Sequence, residues 1–251
     1  MTEHPTFSVP DMIRELDELY NAGREQEAEA FLCRHRELAQ KAGDWRSELS
    51  VLSELMGHYR RDRNEKAGMA AVEQGLALIR EHELGESISG ATIMLNAATT
   101  LKCFGFAERS MTVFRHVALV YEKKLSGEDA RLAGLYNNMA LSCGDLQDFA
   151  GAERYFRQAL EVLDKNPGGE NERAVTLCNL AELYHRQNPE DPRIAACVEG
   201  AWQALNAPGL ARDGYHAFTI SKCAPSFDYL GFFFQAAELR ERAEAIYAGN
   251  R

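Results

Sequence analysis

The sequence predicts an all-α protein, an α-solenoid of about six helical hairpins that stack one on the next. Three observations support this class. Similar segments recur about every 42 residues, large apolar residues recur three and four apart, and turn-forming residues separate the segments. The alternation of apolar and polar residues that predicts β-strands is almost absent.

An asparagine followed two residues later by an alanine marks three of the predicted first helices. The pairs are Asn96 with Ala98, Asn138 with Ala140, and Asn179 with Ala181. The same step along the chain reaches Glu54 upstream and Ser221 downstream. A small residue at a fixed place in each unit predicts that two helices approach closely there.

The predicted second helices repeat a residue pair three apart, which is Phe156 and Ala159 in the fourth unit. Steps of 42 reach Val72 and Gly75, Phe114 and Val117, and Val198 and Ala201. A further step reaches Arg240 and Ala243, and a polar residue there fits a terminal repeat whose outer face meets water. In the first hairpin, Ala28 with Leu32 and Glu27 with Phe31 fit the second helix about equally well.

Turn signals such as Asn166-Pro167-Gly168-Gly169 divide the chain into six hairpins. They are predicted near 11–41, 44–84, 86–125, 128–166, 170–207 and 211–248. We expect a disordered tail over residues 1–10 and one superhelical domain over 11–251. The last hairpin has Pro225 inside its expected first helix. The aromatic residues after it are expected to seal the end of the stack, and the alternative is a patch for self-association.

Composition and motifs argue against several functions. The formal net charge of -10 disfavours binding to nucleic acid and to anionic membranes. The N-terminus lacks the features of a signal peptide and no apolar stretch is long enough to cross a membrane, so we expect a cytoplasmic protein.

The six cysteines form no C-x-x-C pair and are expected to be small buried hydrophobes. Catalytic, nucleotide-binding and metal-binding motifs are missing, so we expect no enzyme activity, no cofactor and no metal.

The fourth unit resembles the tetratricopeptide repeat (TPR). That family has a small residue in its first helix and A-x3-F-x2-A in its second, and Ala140, Ala152, Phe156 and Ala159 match in order. The step of about 42 is longer than the usual ~34, and it is similar to the long-helix subgroup of kinesin light chains and the spindle adaptor LGN. The resemblance covers about residues 44–248. It implies a right-handed superhelix whose first helices line a concave groove.

The resemblance also implies that the residue two before each small residue faces the groove. These residues are Glu54, Asn96, Asn138, Asn179 and Ser221. In peptide-binding members an asparagine at this place holds the ligand backbone, and an amide can both donate and accept a hydrogen bond. The alternative is that each asparagine bonds to the neighbouring hairpin, and both interpretations stay open.

Groove-facing positions further along these helices are mostly basic or polar. They are Arg60, Arg61, Thr99, Lys102, Glu182, His185 and Arg186. A basic rim favours an acidic partner. The alternative is a set of solvated helix ends, where basic residues interact well with the helix dipole.

The leading hypothesis is a non-enzymatic scaffold that binds an extended or acidic peptide, or another unknown protein, in the groove. The alternative is a peptide-sensing regulator that resembles quorum-sensing TPR receptors. Those receptors usually carry an N-terminal effector domain, and the roughly 43 residues before the second hairpin are too few for a helix-turn-helix domain plus the first hairpin. An enzyme is the third class, and homo-oligomer formation is left open.

Overall fold

The computed structural model describes residues 6–249, and twelve α-helices account for most of this range. The described residues contain no β-strand. The chain divides into two compact units, one ending at Lys124 and one beginning at Leu125. The predicted all-α repeat fold is confirmed.

The first unit contains three helical hairpins. Its helices are α1 (Val9–Asn21), α2 (Glu25–Ala42), α3 (Trp45–Arg61), α4 (Glu65–Glu81), α5 (Ile88–Cys103) and α6 (Ala107–Lys124), with a short 3-10 turn at Leu84–Glu86 before α5. The helices of each hairpin pack against each other, and α3 also packs against α5.

The second unit contains three more hairpins. Its helices are α7 (Ala130–Asp145), α8 (Phe149–Leu163), α9 (Glu170–Gln187), α10 (Arg193–Leu205), α11 (Gly214–Tyr229) and α12 (Phe233–Gly249). The first helices of its three hairpins form a continuous layer, because α9 packs against both α7 and α11.

Side-chain caps explain why several helices begin where the sequence predicts. The carboxylate of Asp44 accepts from the backbone N–H of Ser47, and Asp148 accepts from Gly151 in the same way. Each cap satisfies one of the backbone donors that the first turn of a helix leaves unpaired. These local signals place the observed hairpins within a few residues of their predicted bounds.

The repeated small and large residues form the core. Ala140, Ala152, Phe156 and Ala159 are all buried, at 1% exposure or less. In the first hairpin Ala28 and Leu32 are completely buried, which decides between the two alignments of α2.

The start of the chain differs from the predicted tail. Residues 1–5 lie outside the described residues, but α1 already includes Val9 and Pro10. The side chain of Ser8 caps this helix, and proline is tolerated in a first turn because its missing N–H would have no helical partner there. The single domain over 11–251 stays a prediction.

Two smaller expectations need correction. Cys33 and Cys103 are exposed, whereas the other four cysteines are buried as expected. Among the aromatic residues near the end of the chain, only Phe227 is fully buried, and it packs against Trp202 and Phe232. The side chains of Tyr229, Phe233 and Phe234 are exposed, so the aromatic cap is partial. In the described range, none of the helices has the length and apolar character needed to span a membrane.

Candidate functional site

In the first unit, the predicted groove residues link neighbouring hairpins. The amide nitrogen of Asn96 donates to the hydroxyl of Ser53 over 2.8 Å, from α5 to α3. The guanidinium of Arg60 donates to the carbonyl of Asn96 over 3.1 Å and to the hydroxyl of Thr100 over 2.8 Å. These bonds hold α5 against α3. Burial lowers the pKa of Arg60 from its ordinary value.

The remaining first-unit candidates have weaker or local contacts. Glu54 is half-buried, and burial followed by the charge of Asp17 raises its pKa. The guanidinium of Arg61 lies 3.9 Å from the ring centre of Tyr20, a cation–π contact. The hydroxyl of Thr99 donates to the carbonyl of Leu95 in its own helix. Lys102 is half-buried.

In the second unit, two candidates again link α9 to α7. The amide of Asn179 donates to Asn137 Oδ1 over 3.1 Å. The guanidinium of Arg186 donates to the carbonyl of Gly144 over 3.0 Å. Both bonds resemble those of Asn96 and Arg60, because each joins the first helices of consecutive hairpins.

The other second-unit candidates bond within one helix or contact an aromatic ring. The amide of Asn138 donates to the backbone carbonyl of Gly134. The hydroxyl of Ser221 donates to the backbone carbonyl of Ala217. The ring of His185 packs edge-on against Tyr229, with ring centres 4.9 Å apart. Glu182 is half-buried.

The bonds of Asn96 and Asn179 therefore favour the hairpin-linking interpretation for those two asparagines. Asn138 differs, because its bond lies within α7 and its side chain is only half-buried. The basic rim is also partly used internally, since Arg60 and Arg186 both bond to neighbouring helices. Ligand binding by the predicted groove residues stays a prediction.

A cavity of about 220 Å³ opens between the first helices of the second unit. Its lining is mostly apolar and comes largely from α7, α9 and α11. The lining residues are Ala133, Gly134, Asn137, Leu163, Glu172, Val175, Thr176, Tyr215, Phe218, Thr219 and Lys222. On α9 the lining residues precede Asn179, whereas the predicted basic rim follows it.

Two aromatic side chains and two charged groups give this cavity its chemistry. Tyr215 and Phe218 are 54% and 51% exposed, which is high for large apolar side chains in a repeat stack. The hydroxyl of Tyr215 donates to Glu172 Oε1 over 2.5 Å. Burial and this bond raise the pKa of Tyr215 to about 12. The Nζ atom of Lys222 lies 5.2 Å from the ring centre of Phe218.

The cavity was not predicted from the sequence, although α11 carries a signal for it. The buried stripe of α11 includes Ala217, Ile220 and Ala224. Tyr215 and Phe218 are three apart and lie off that stripe, so the helical period places both of them on the open face. Large aromatic side chains outside the buried stripe of a helix mark a candidate binding surface.

Comparison with known proteins identifies the type of repeat. The sequence pattern described as tetratricopeptide repeat matches residues 131–191, which span α7 to α9. No curated protein matches the chain. The predicted TPR-type repeat is confirmed.

Solved structures share the fold at low sequence identity. One is a candidate kinesin light chain from Podosopora anserina with nearly identical TPR-like repeats, at a TM-score of 0.56 and 18% identity. That alignment covers 81% of this chain and 96% of the other. A point variant of the same Podosopora anserina protein aligns at a TM-score of 0.57 and 17% identity, covering 80% of this chain and 95% of the other. These similarities show the fold.

Proposed function

We propose that the chain binds an extended peptide segment of a partner protein along α7, α9 and α11. Its tetratricopeptide-type repeats form a scaffold suited to protein interaction. The observation that carries this proposal is the apolar cavity under Tyr215 and Phe218. Apolar clefts with a few polar groups are the usual form of a ligand site. Nothing in the proposal requires a catalytic step.

The lining of the cavity suggests the chemistry of the peptide. Val175, Leu163 and the two aromatic rings suit a large apolar side chain of the ligand. The ammonium group of Lys222 at the edge suits a carboxylate, either a side chain or a chain terminus. The half-buried amide of Asn138 on α7 could exchange its bond within the helix for one to the ligand backbone.

The test uses a displayed library of random peptides, because no partner needs to be known in advance. Peptides are selected on the full chain and their affinities are then measured by fluorescence anisotropy. Phe218→Ala should weaken binding by about 10- to 100-fold, since a buried aromatic contact contributes about 1.5–3 kcal/mol. Val175→Trp should also weaken binding, because its larger side chain occupies the space of the ligand. In Val175→Trp the added ring fills the cavity instead of emptying it.

Phe234→Ala is the matched control, because Phe234 is 93% exposed and does not line the cavity. Lys222→Glu should selectively weaken peptides that carry a carboxylate, and raising the salt concentration should reduce that preference. Selected peptides that bind Phe218→Ala and Val175→Trp as tightly as the unmodified protein would show that the cavity is not the binding site.

A further inference from the structure

His58 lies at the end of α3 with its imidazole completely buried. Its Nδ1 atom is 3.0 Å from the hydroxyl of Tyr20 on α1. Its Nε2 atom is equally buried and has no hydrogen-bond partner. A buried polar atom without a hydrogen bond is costly, so this imidazole nitrogen is a candidate ligand atom.

Two carboxylates lie close to this nitrogen. Asp62 follows His58 by one helical turn, and its Oδ2 atom lies 3.1 Å from Nε2 without the geometry of a hydrogen bond. Glu29 comes from α2. One ligand atom from each of Glu29, His58 and Asp62 lies within 4.8 Å of the other two.

We propose that Glu29, His58 and Asp62 bind a divalent transition-metal ion, with Zn²⁺ as the first candidate. One imidazole nitrogen and two carboxylate oxygens are a donor set that Zn²⁺ accepts, and water fills the open position. Zinc bonds of about 2.0–2.2 Å place tetrahedral ligands about 3.4 Å apart, so small rotations of the carboxylates would close the site.

The surroundings of His58 support metal binding. The Tyr20 hydroxyl can accept from Nδ1–H, which leaves the lone pair on Nε2 facing the carboxylates, and metal-bound histidines generally have such a partner on the other nitrogen. The guanidinium of Arg61 is held over the ring of Tyr20. The two carboxylates of Glu29 and Asp62 would balance the charge of a divalent ion bound between them.

The competing explanation is a simple ion pair between His58 and Asp62, whose Nε2 and Oδ2 atoms lie 3.1 Å apart, with no role for Glu29. This explanation predicts no specific metal affinity. Measuring metal binding directly therefore separates the two explanations.

The experiment uses the full chain with any affinity tag removed and with metal stripped by a chelator. Titration with Zn²⁺ alone is followed by calorimetry, and Co²⁺ is used as a spectroscopic probe of the ligand geometry. We expect saturable binding of one ion per chain and a raised melting temperature. His58→Gln and Asp62→Asn should each abolish this site. Tyr20→Phe should weaken it by about 10- to 100-fold, the usual effect of removing a partner of a metal-bound histidine.

Two control variants measure binding elsewhere. His216→Gln removes another buried histidine whose Nε2 has no hydrogen bond, and His116→Gln removes a half-exposed one. Both should retain full affinity. If His58→Gln fails to fold, Asp62→Asn and Glu29→Gln decide the question, because their side chains are at least partly exposed. The proposal is overturned if no stoichiometric binding occurs, or if these carboxylate variants bind zinc as tightly as the unmodified chain.

Discussion

The two units use the same face of their first helices in different ways. In the first unit, Arg60 and Asn96 bond from one hairpin to the next and leave few groups for a ligand. In the second unit, Asn179 makes a similar bond, but the face widens beside it into a cavity bordered by Phe218 and Lys222. One repeat position can therefore hold the stack together, while its neighbours on the same helix remain available to a partner.

Their buried histidines show a second contrast. His58 and His216 are both buried, both have a partner at Nδ1, and both have an Nε2 atom without a hydrogen bond. The charged groups around them differ. His58 lies beside two carboxylates, whereas Arg242 and Arg212 lower the pKa of His216 after the effect of burial. Two histidines that are buried to a similar degree can therefore differ in role. His58 lies where a cation can be bound by carboxylates, whereas the pKa of His216 is lowered.

The first and largest predicted effect concerns the basic residues of the two units. Arg60→Met should lower the free energy of unfolding by about 1.5–3 kcal/mol, because it removes charged hydrogen bonds between α3 and α5. Lys222→Met should leave stability within about 0.5 kcal/mol, the usual range for a surface change. Urea unfolding of both variants measures the difference. Equal losses would mean that the Lys222 face also holds the stack together.

The second prediction tests the tight packing between the two helices of a hairpin in the second unit. Ala140 is completely buried on α7, which packs against α8. Ala140→Leu should cost about 1–3 kcal/mol through overpacking. Ala150→Leu is the control, because Ala150 is exposed in the first turn of α8. An unchanged melting temperature for Ala140→Leu would contradict the assigned repeat register.

The hairpins could be predicted because their signals are local. The turn-forming residues, the helical period and the repeated small residues all lie within one or two turns of the feature they specify. The alignment of α2 could not be decided from sequence, because Ala28 with Leu32 and Glu27 with Phe31 fit the repeat pattern about equally well. Only packing against other helices shows that Ala28 is fully buried while Phe31 is partly exposed.

The candidate sites were harder to predict because they depend on distant residues. Tyr215 meets Glu172 from 43 positions away, and the two lie on different hairpins. Glu29 reaches the His58 group from another helix, and that contact cannot be predicted from the sequence. The basic rim was predicted from repeat position and charge, and the sequence does not reveal that Arg186 is bonded to the carbonyl of Gly144.

The third prediction compares two asparagines of the second unit. Asn179→Ala removes a bond between α9 and α7 and should cost about 0.5–1.5 kcal/mol. Asn138→Ala removes a bond within α7 and should leave the melting temperature nearly unchanged. Thermal melts without ligand measure both effects. If Asn138→Ala also weakens the selected peptides, the groove role of Asn138 is supported. A clear loss of stability in Asn138→Ala would argue against that role.

The fourth and smallest effect uses the contrast between the histidines. His216 faces Asn171 at Nδ1, with Arg242, Arg212 and Asp213 as the nearby charges. Burial and the two arginines lower its pKa below the ordinary 6.5, while Asp213 opposes them. Above about pH 6.5 the imidazole is largely neutral in both the folded and the unfolded chain. Below that pH the unfolded chain binds a proton that the folded chain resists, so stability falls as the pH falls.

The measurement compares the unmodified chain with His216→Gln at neutral pH and in mild acid. The difference in unfolding free energy between the two should shrink as the pH falls, because glutamine does not titrate. An NMR titration of the His216 ring should give a pKa below 6.5. A His216 pKa above 6.5 would mean that Asp213 outweighs burial and the arginines, and the electrostatic contrast between the two units would then disappear.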